Sequence, residues 1–254
     1  LWPGEGPRGR ATAAGRTLYT FPVQAFPQLV ANITVVSDGQ KRVLVDCGSG
    51  MERCNQELSA GLARIGDVYG ETVEPAALDA ILITHGHIDH FGGLSFLRDL
   101  SQAPIGVHPL DRRVLSHYEE RVVVASRNLE RFLKVAGVTS GHLANLMRMY
   151  MFAKGAYRST PVQFVLDEGR PLPDDLGLDG VSVFHVPGHC PGQVCLQVDD
   201  ILLTADHVLS RTTPHQAPES ITNNMGLGHF LASLDKIERL EGVRLALGGH
   251  ELPM

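Results

Sequence analysis

Three histidines and one aspartate fall within six consecutive residues, His85-Gly86-His87-Ile88-Asp89-His90. Neutral imidazole and carboxylate are donors that suit zinc, and also iron or manganese. His85 and His87 are two apart, so in extended backbone they lean to the same side and suit one ion. Asp89 and His90 come after the chain has turned and can address a second ion beside the first. The same donor types recur downstream at His189, Asp206 and His250, each directly after an apolar run, at 181–186, 201–205 and 245–247. In this reading His85, His87 and His189 hold the first ion, and Asp89, His90 and His250 the second. Asp206 bridges them, because a carboxylate has two oxygens to share.

The elements that must position these donors can be read from the apolar pattern. Residues 80–83 form a short apolar run, the signature of a buried strand, and Leu94, Leu97 and Leu100 open a helix just beyond the cluster. The cluster therefore sits on a strand-to-helix turn, where a rigid scaffold presents side chains to an open site. Residues 29–36 and 42–46 read as a hairpin around the Asp38-Gly39 turn signal. Asp46, at its end, either orients a ligand histidine or caps the next turn. Cys54, Leu58, Leu62 and Ile65 share one helical face over 51–65. Residues 104–108, 163–166 and 181–186 read as strands, and 194–198 with 201–204 as a tight hairpin delivering Asp206. His108 stands alone beside Pro109 and reads as structural. Phe230, Leu234 and Ile237 give the last helix its buried face. The loop 206–229 adds His207, His215 and His229, and Pro214 and Pro218 exclude regular structure there. Each of these histidines reads first as a solvated or supporting group, and His207 and His215 are the two for which reaching a substrate is the alternative.

The His-x-His-x-Asp-His core with its three ordered partners resembles the metallo-β-lactamase-fold superfamily, and the resemblance spans roughly residues 17–250. It implies an α/β fold, a four-layer αββα sandwich that delivers its ligands from one edge. Asp46-Cys47-Gly48 is similar to the Asp-x-Gly that closes the corresponding strand. The resemblance specifies fold and metals closely and substrate poorly, because that superfamily hosts many reactions on one site.

Composition agrees with an ordinary globular protein: 43% of the 254 residues are apolar and 20% charged. No run approaches the ~20 apolar residues that span a bilayer. The net charge of −6 argues against a nucleic-acid partner. Four cysteines without a Cys-x-x-Cys pair suit a reduced, cytoplasmic protein. Cys190 reads as a small side chain in a turn rather than a ligand. Glycine and proline in residues 1–16 point to a flexible leader, with order beginning near Thr17 and one domain over 17–254. Residues 109–160 exceed what the core fold requires. Their stripes, Ala125-Leu129-Phe132-Leu133-Ala136 and Leu143-Leu146-Met147-Tyr150-Met151, read as two helices. They are either a lid over the metals or an ordinary packed hairpin. Tyr150, Phe152 and Tyr157 are the pocket candidates.

The expected function is a hydrolase with two divalent metal ions, zinc first, with iron or manganese acceptable to the same donors. A hydroxide shared by the two ions would attack a small-molecule ester, thioester or lactone. Asp89 and Asp206 are the catalytic carboxylates, with Asp89 the better proton acceptor. Within the resemblance, Asp206 argues against a true β-lactamase. Leu209, three after it, argues against the acyl-homoserine lactonases, which carry tyrosine there. The ligand set is glyoxalase-II-like, with the 109–160 insertion standing in for that enzyme's C-terminal helical domain. A phosphodiesterase and a mononuclear-iron persulfide dioxygenase are the alternatives. The expected partner is a small-molecule substrate, without membrane or nucleic acid, and a homodimer is the default for a soluble enzyme.

Overall fold

The computed structural model describes residues 6–154, 157–176 and 179–252, without the side chains of 152–154. Seven strands form one sheet in chain order: β1 (Arg8–Ala11), β2 (Thr17–Phe26), β3 (Leu29–Ser37), β4 (Arg42–Val45), β5 (Ala80–Ile83), β6 (Ile105–Val107) and β7 (Phe164–Val165). The second sheet has the order β11 (Leu245–Gly248), β10 (Ile201–Ala205), β9 (Val194–Val198), β8 (Val181–His185). The helices are α1 (Glu52–Tyr69), α2 (Ile88–Phe91), α3 (Leu94–Arg98), α4 (Arg112–Ser116), α5 (Tyr118–Val135), α6 (Ser140–Lys154) and α7 (Leu227–Glu238). Among the described residues no helix is long and apolar enough to cross a membrane.

Side-chain alternation builds the layers. Val43, Val45 and Leu82 point inward and share a core with Leu196, Leu203 and Leu247 of the other sheet. Leu44, Ile81 and Ile83 point the other way and pack with Leu58, Leu62 and Ile65 of α1 and with Leu94 and Leu97 of α3. Cys195 and Leu202 face outward from the second sheet, against Ile237. The order is helix, sheet, sheet, helix, the expected αββα sandwich. Strands buried on both faces read as unbroken apolar runs, which is why 80–83 is conspicuous in the sequence.

Strand direction places the ligands. β4, β5 and β6 are mutually parallel. β9 is antiparallel to both β8 and β10, and β11 is parallel to β10, so β8, β10 and β11 also run one way. The segments leaving β5, β8, β10 and β11 carry His85, His189, Asp206 and His250. Backbone bonds stitch the two sheets together at this edge: Val194 N donates to Thr84 O (2.9 Å) and Asn32 N to Gly249 O (2.7 Å).

Three expectations change. Arg8–Ala11 is not a mobile leader but a strand paired with 17–20; residues 1–5 lie outside the described residues. Helix α1 runs past Gly66 and stops at Gly70, whose φ of 72° releases the chain. Leu100 is solvent-exposed rather than part of the buried helical face.

His108 is structural as expected. Its ring lies flat on His185 at the end of β8 (centroids 3.9 Å apart, 11° between planes), linking the two sheets. Burial, then the neighbouring His185, lowers the His108 pKa to about 4. A histidine held neutral in the fold but free to protonate when unfolded gives stability that is whole above the unfolded pKa of about 6.5 and fades as pH falls towards 4. With partial solvent screening this is on the order of 1 kcal/mol. His108→Gln should flatten the fall in unfolding free energy between neutral pH and pH 4.5, read from denaturant titrations, by that amount.

Candidate metal centre

The segment after β5 turns immediately into α2, so His85 and His87 lie in the turn while Asp89 and His90 lie on the helix. His85, His90 and His189 are almost wholly buried, as is Asp206. The donor atoms fall into two groups, each within 4.8 Å: His85, His87, His189 and Asp206 in one, Asp89, His90 and His250 in the other. Asp206 joins them. Its Oδ1 is 3.3 Å from His90 Nε2, and its Oδ2 lies 3.3 Å from His250 Nε2, 3.5 Å from His189 Nε2 and 3.9 Å from His85 Nε2. Asp89 Oδ2 is 3.4 Å from His250 Nε2.

The outer ring nitrogens are tied down, which turns the inner ones to the centre. Asp46 Oδ2 lies 2.8 Å from His90 Nδ1, and its carboxylate also accepts from Thr84 N and Oγ1 at 2.8 Å. His189 Nδ1 faces the His215 carbonyl (2.7 Å) and His250 Nδ1 the Val30 carbonyl (2.6 Å). Such partners orient ligand imidazoles and set their tautomer. Asp46 is thus the orienting residue, rather than a turn cap.

His90 Nε2, His189 Nε2 and Asp206 Oδ1 are buried with no hydrogen-bond partner. Buried polar atoms are almost always paired, so three orphans converging on one point fit a cation. Charge agrees. Burial opposes ionisation of Asp206, yet His90 first and the other imidazoles hold its carboxyl well below the usual range. Burial likewise opposes charge on His250, yet Asp206 and Asp89 raise it to about 10. The carboxylates draw positive charge into the site.

Strain marks the same places. Asp46, Ala205 and Glu251 have φ of 60°, 48° and 64°, in the left-handed region non-glycine residues seldom occupy. Each is, or adjoins, a residue of the centre.

Asp111 is the residue sequence reading missed. It stands at the N-terminus of α4, but its carboxylate makes no cap there. Instead Oδ2 accepts from Gly86 N (2.8 Å) and Cys190 Sγ (3.2 Å), and Oδ1 from Gly192 N (3.1 Å). It clamps the His85–His87 turn to the His189 turn. A Cβ on Gly192 would come within 2.6 Å of the Asp111 carboxyl carbon, so only glycine fits. Cys190 serves this clamp. An aspartate at a helix start resembles any N-cap, so no sequence signal separated it.

The centre opens on a cavity of about 1250 Å³. Tyr150 lines it, as expected, and so does His215, whose ring stacks on His87 (6.0 Å, 17°). One expectation is corrected, and His207 takes the supporting role. Tyr157 is buried against Phe91 and Tyr118 beneath the wall. His207 is buried beside Phe230 and does not line the cavity. His229 pairs with Glu219. The Phe152 side chain lies outside the described residues.

Asp46→Ala should lower the affinity for zinc about 10- to 100-fold, the usual cost of losing such a partner. Chelator competition on the purified protein measures it.

Comparison with known proteins agrees with the geometry. The Mycobacterium leprae protein ML0493 is 29% identical over 237 residues, covering 90% of each chain. The human acyl-coenzyme A thioesterase MBLAC2 is 28% identical over 187 residues, 70% of this chain and 58% of its own length. The crystal structure of the metallo-beta-lactamase family protein TTHA1429 from Thermus thermophilus superposes with a TM-score of 0.75 at 25% identity, covering 93% of this chain and 74% of that one. The family profile of the metallo-beta-lactamase superfamily matches residues 27–250, and the chain belongs to that superfamily.

Proposed function

We propose that the chain is a metal-dependent hydrolase of a small-molecule thioester or ester, lactones included. The observation that carries this is the pair of donor groups joined by Asp206 at the floor of a large open cavity. His85, His87 and His189 would hold one divalent ion, and Asp89, His90 and His250 the other, with Asp206 shared. Imidazole and carboxylate donors favour zinc. Ions held there would supply Lewis acidity and a water acidic enough to act as nucleophile at neutral pH.

The chain's own groups do the rest. Asp89 lines the cavity, and its carboxylate is the group that would take a proton from that water. Asp206 is more deeply buried and keeps the two donor groups in register. Asp46 and Asp111 fix the imidazoles and the two ligand turns. The relative MBLAC2, an acyl-coenzyme A thioesterase, supports a thioester over a phosphodiester.

Elemental analysis of the purified protein, with a panel of thioester, ester, lactone and phosphodiester substrates, tests the proposal. The expected result is close to two equivalents of zinc and hydrolysis of a thioester or ester. Asp206→Ala should lower kcat/KM by more than the ~100-fold upper cost of losing a supporting partner. One equivalent of iron without hydrolysis would overturn it.

A further inference from the structure

The cavity is larger than hydrolysis of a compact ester needs. Pockets for drug-sized ligands measure roughly 300–1000 Å³, whereas this cavity measures about 1250 Å³. Its floor is polar, made by the metal-centre residues. One wall carries a regular apolar stripe, flanked by Arg121 and Asn128 of the same helix: Val114 of α4, then the almost wholly buried Tyr118, and Val122, Ala125 and Leu129 of α5, all line it. The last four follow one another by four, three and four residues, a single face of a helix. They span eleven residues, or about 16 Å at the helical rise, the length of a medium-chain fatty acyl group. Leu209, Ile221 and Met225 line the cavity as well, from the loop after Asp206. Val124, also on the lining, remains 39% exposed. Helix α5 therefore leaves apolar surface facing an open space that begins at the metal centre, which calls for an apolar occupant.

We propose that this face of α5 is an acyl groove, and that the substrate carries a medium-chain hydrocarbon on its acyl side. The reacting carbonyl lies on the polar floor, and the chain runs along Tyr118, Val122, Ala125 and Leu129. The groove rests on the hydrolase reading for its reacting end, but its affinity for a hydrocarbon chain does not. Ala125, the smallest residue of the stripe, sets the depth available halfway along it.

Acyl thioesters from butanoyl to dodecanoyl, assayed with the zinc-loaded protein, test the groove. Calorimetric titration with dodecanoate below its micelle concentration reads binding without hydrolysis. The expected result is a kcat/KM that rises about three- to fourfold per methylene, levelling off near the length of the stripe, with dodecanoate bound. Ala125→Trp should lower the dodecanoyl-to-butanoyl ratio of kcat/KM by at least 30-fold and abolish dodecanoate binding. A flat chain-length profile without dodecanoate binding would overturn the groove and leave the hydrolase standing. Dodecanoate binding lost in Ala125→Trp, with no ester or thioester cleaved, would uphold the groove and overturn the hydrolase. If Ala125→Trp fails to fold, the wild-type profile and titration decide alone.

Discussion

The Asp206 carboxylate lies within 3.9 Å of four imidazoles while almost wholly buried. A carboxylate taken from water must be paired or it costs several kcal/mol. Protons on the imidazoles supply that pairing: burial opposes charge on His90, but Asp206 and Asp46 hold it well above its usual pKa. A cation held there would replace those protons, so its uptake would release them and be opposed by acid. The imidazoles cannot scatter to relieve the crowding, because their outer nitrogens are fixed to Asp46, to the His215 carbonyl and to the Val30 carbonyl. The rest of the structure brings this one carboxylate and its neighbours to the same point and keeps them there.

It does so with strand ends. Strands β4 and β5 of one sheet and β8, β10 and β11 of the other run towards the centre, and the chain must leave each of them to present a side chain there. The left-handed backbone at Asp46 and Ala205, and at Glu251 just past the centre, is the cost of those departures. The backbone bonds from Val194 to Thr84 and from Asn32 to Gly249 hold both sheets in place across the same edge.

Much of this was legible in the sequence because it is local. The strand of 80–83 and the ligands after it are close in the chain, and donor types are rare enough to stand out. The residues that were misread depend on distant neighbours. Asp111 reaches 25 residues back to Gly86 and 81 forward to Gly192, and nothing around it differs from a helix cap. Tyr157 has the composition of a pocket residue, yet Phe91 covers it, as Phe230 covers His207. Arg8–Ala11 pairs with a strand that its glycine-rich surroundings do not announce. Periodicity shows that a helix has an apolar face; it does not show whether that face meets a core or a cavity. Helix α5 meets both: Tyr118 belongs to the core and Val122 packs against it, while the same face continues along the cavity through Ala125 and Leu129.

Donors and cavity wall stand on different elements. The donors occupy strand ends and the turn into α2, locked by two hydrophobic cores. The wall comes instead from α4, α5 and the 209–225 loop, which contribute no donor to the metal centre. Rigid elements hold a constellation more precisely than loops do, whereas connecting segments tolerate replacement. Substitutions along α5 can therefore reshape what enters the cavity while the Asp206 geometry stays intact. Asp111 is where the two parts meet: it opens α4, the first helix of the wall, and its carboxylate is spent on both ligand turns. A change that shifts α4 at its first turn would pull on Gly86 and Gly192 together, and one that shifts the His215 carbonyl would pull on His189, so the wall is free to vary along α5 rather than at those two ties.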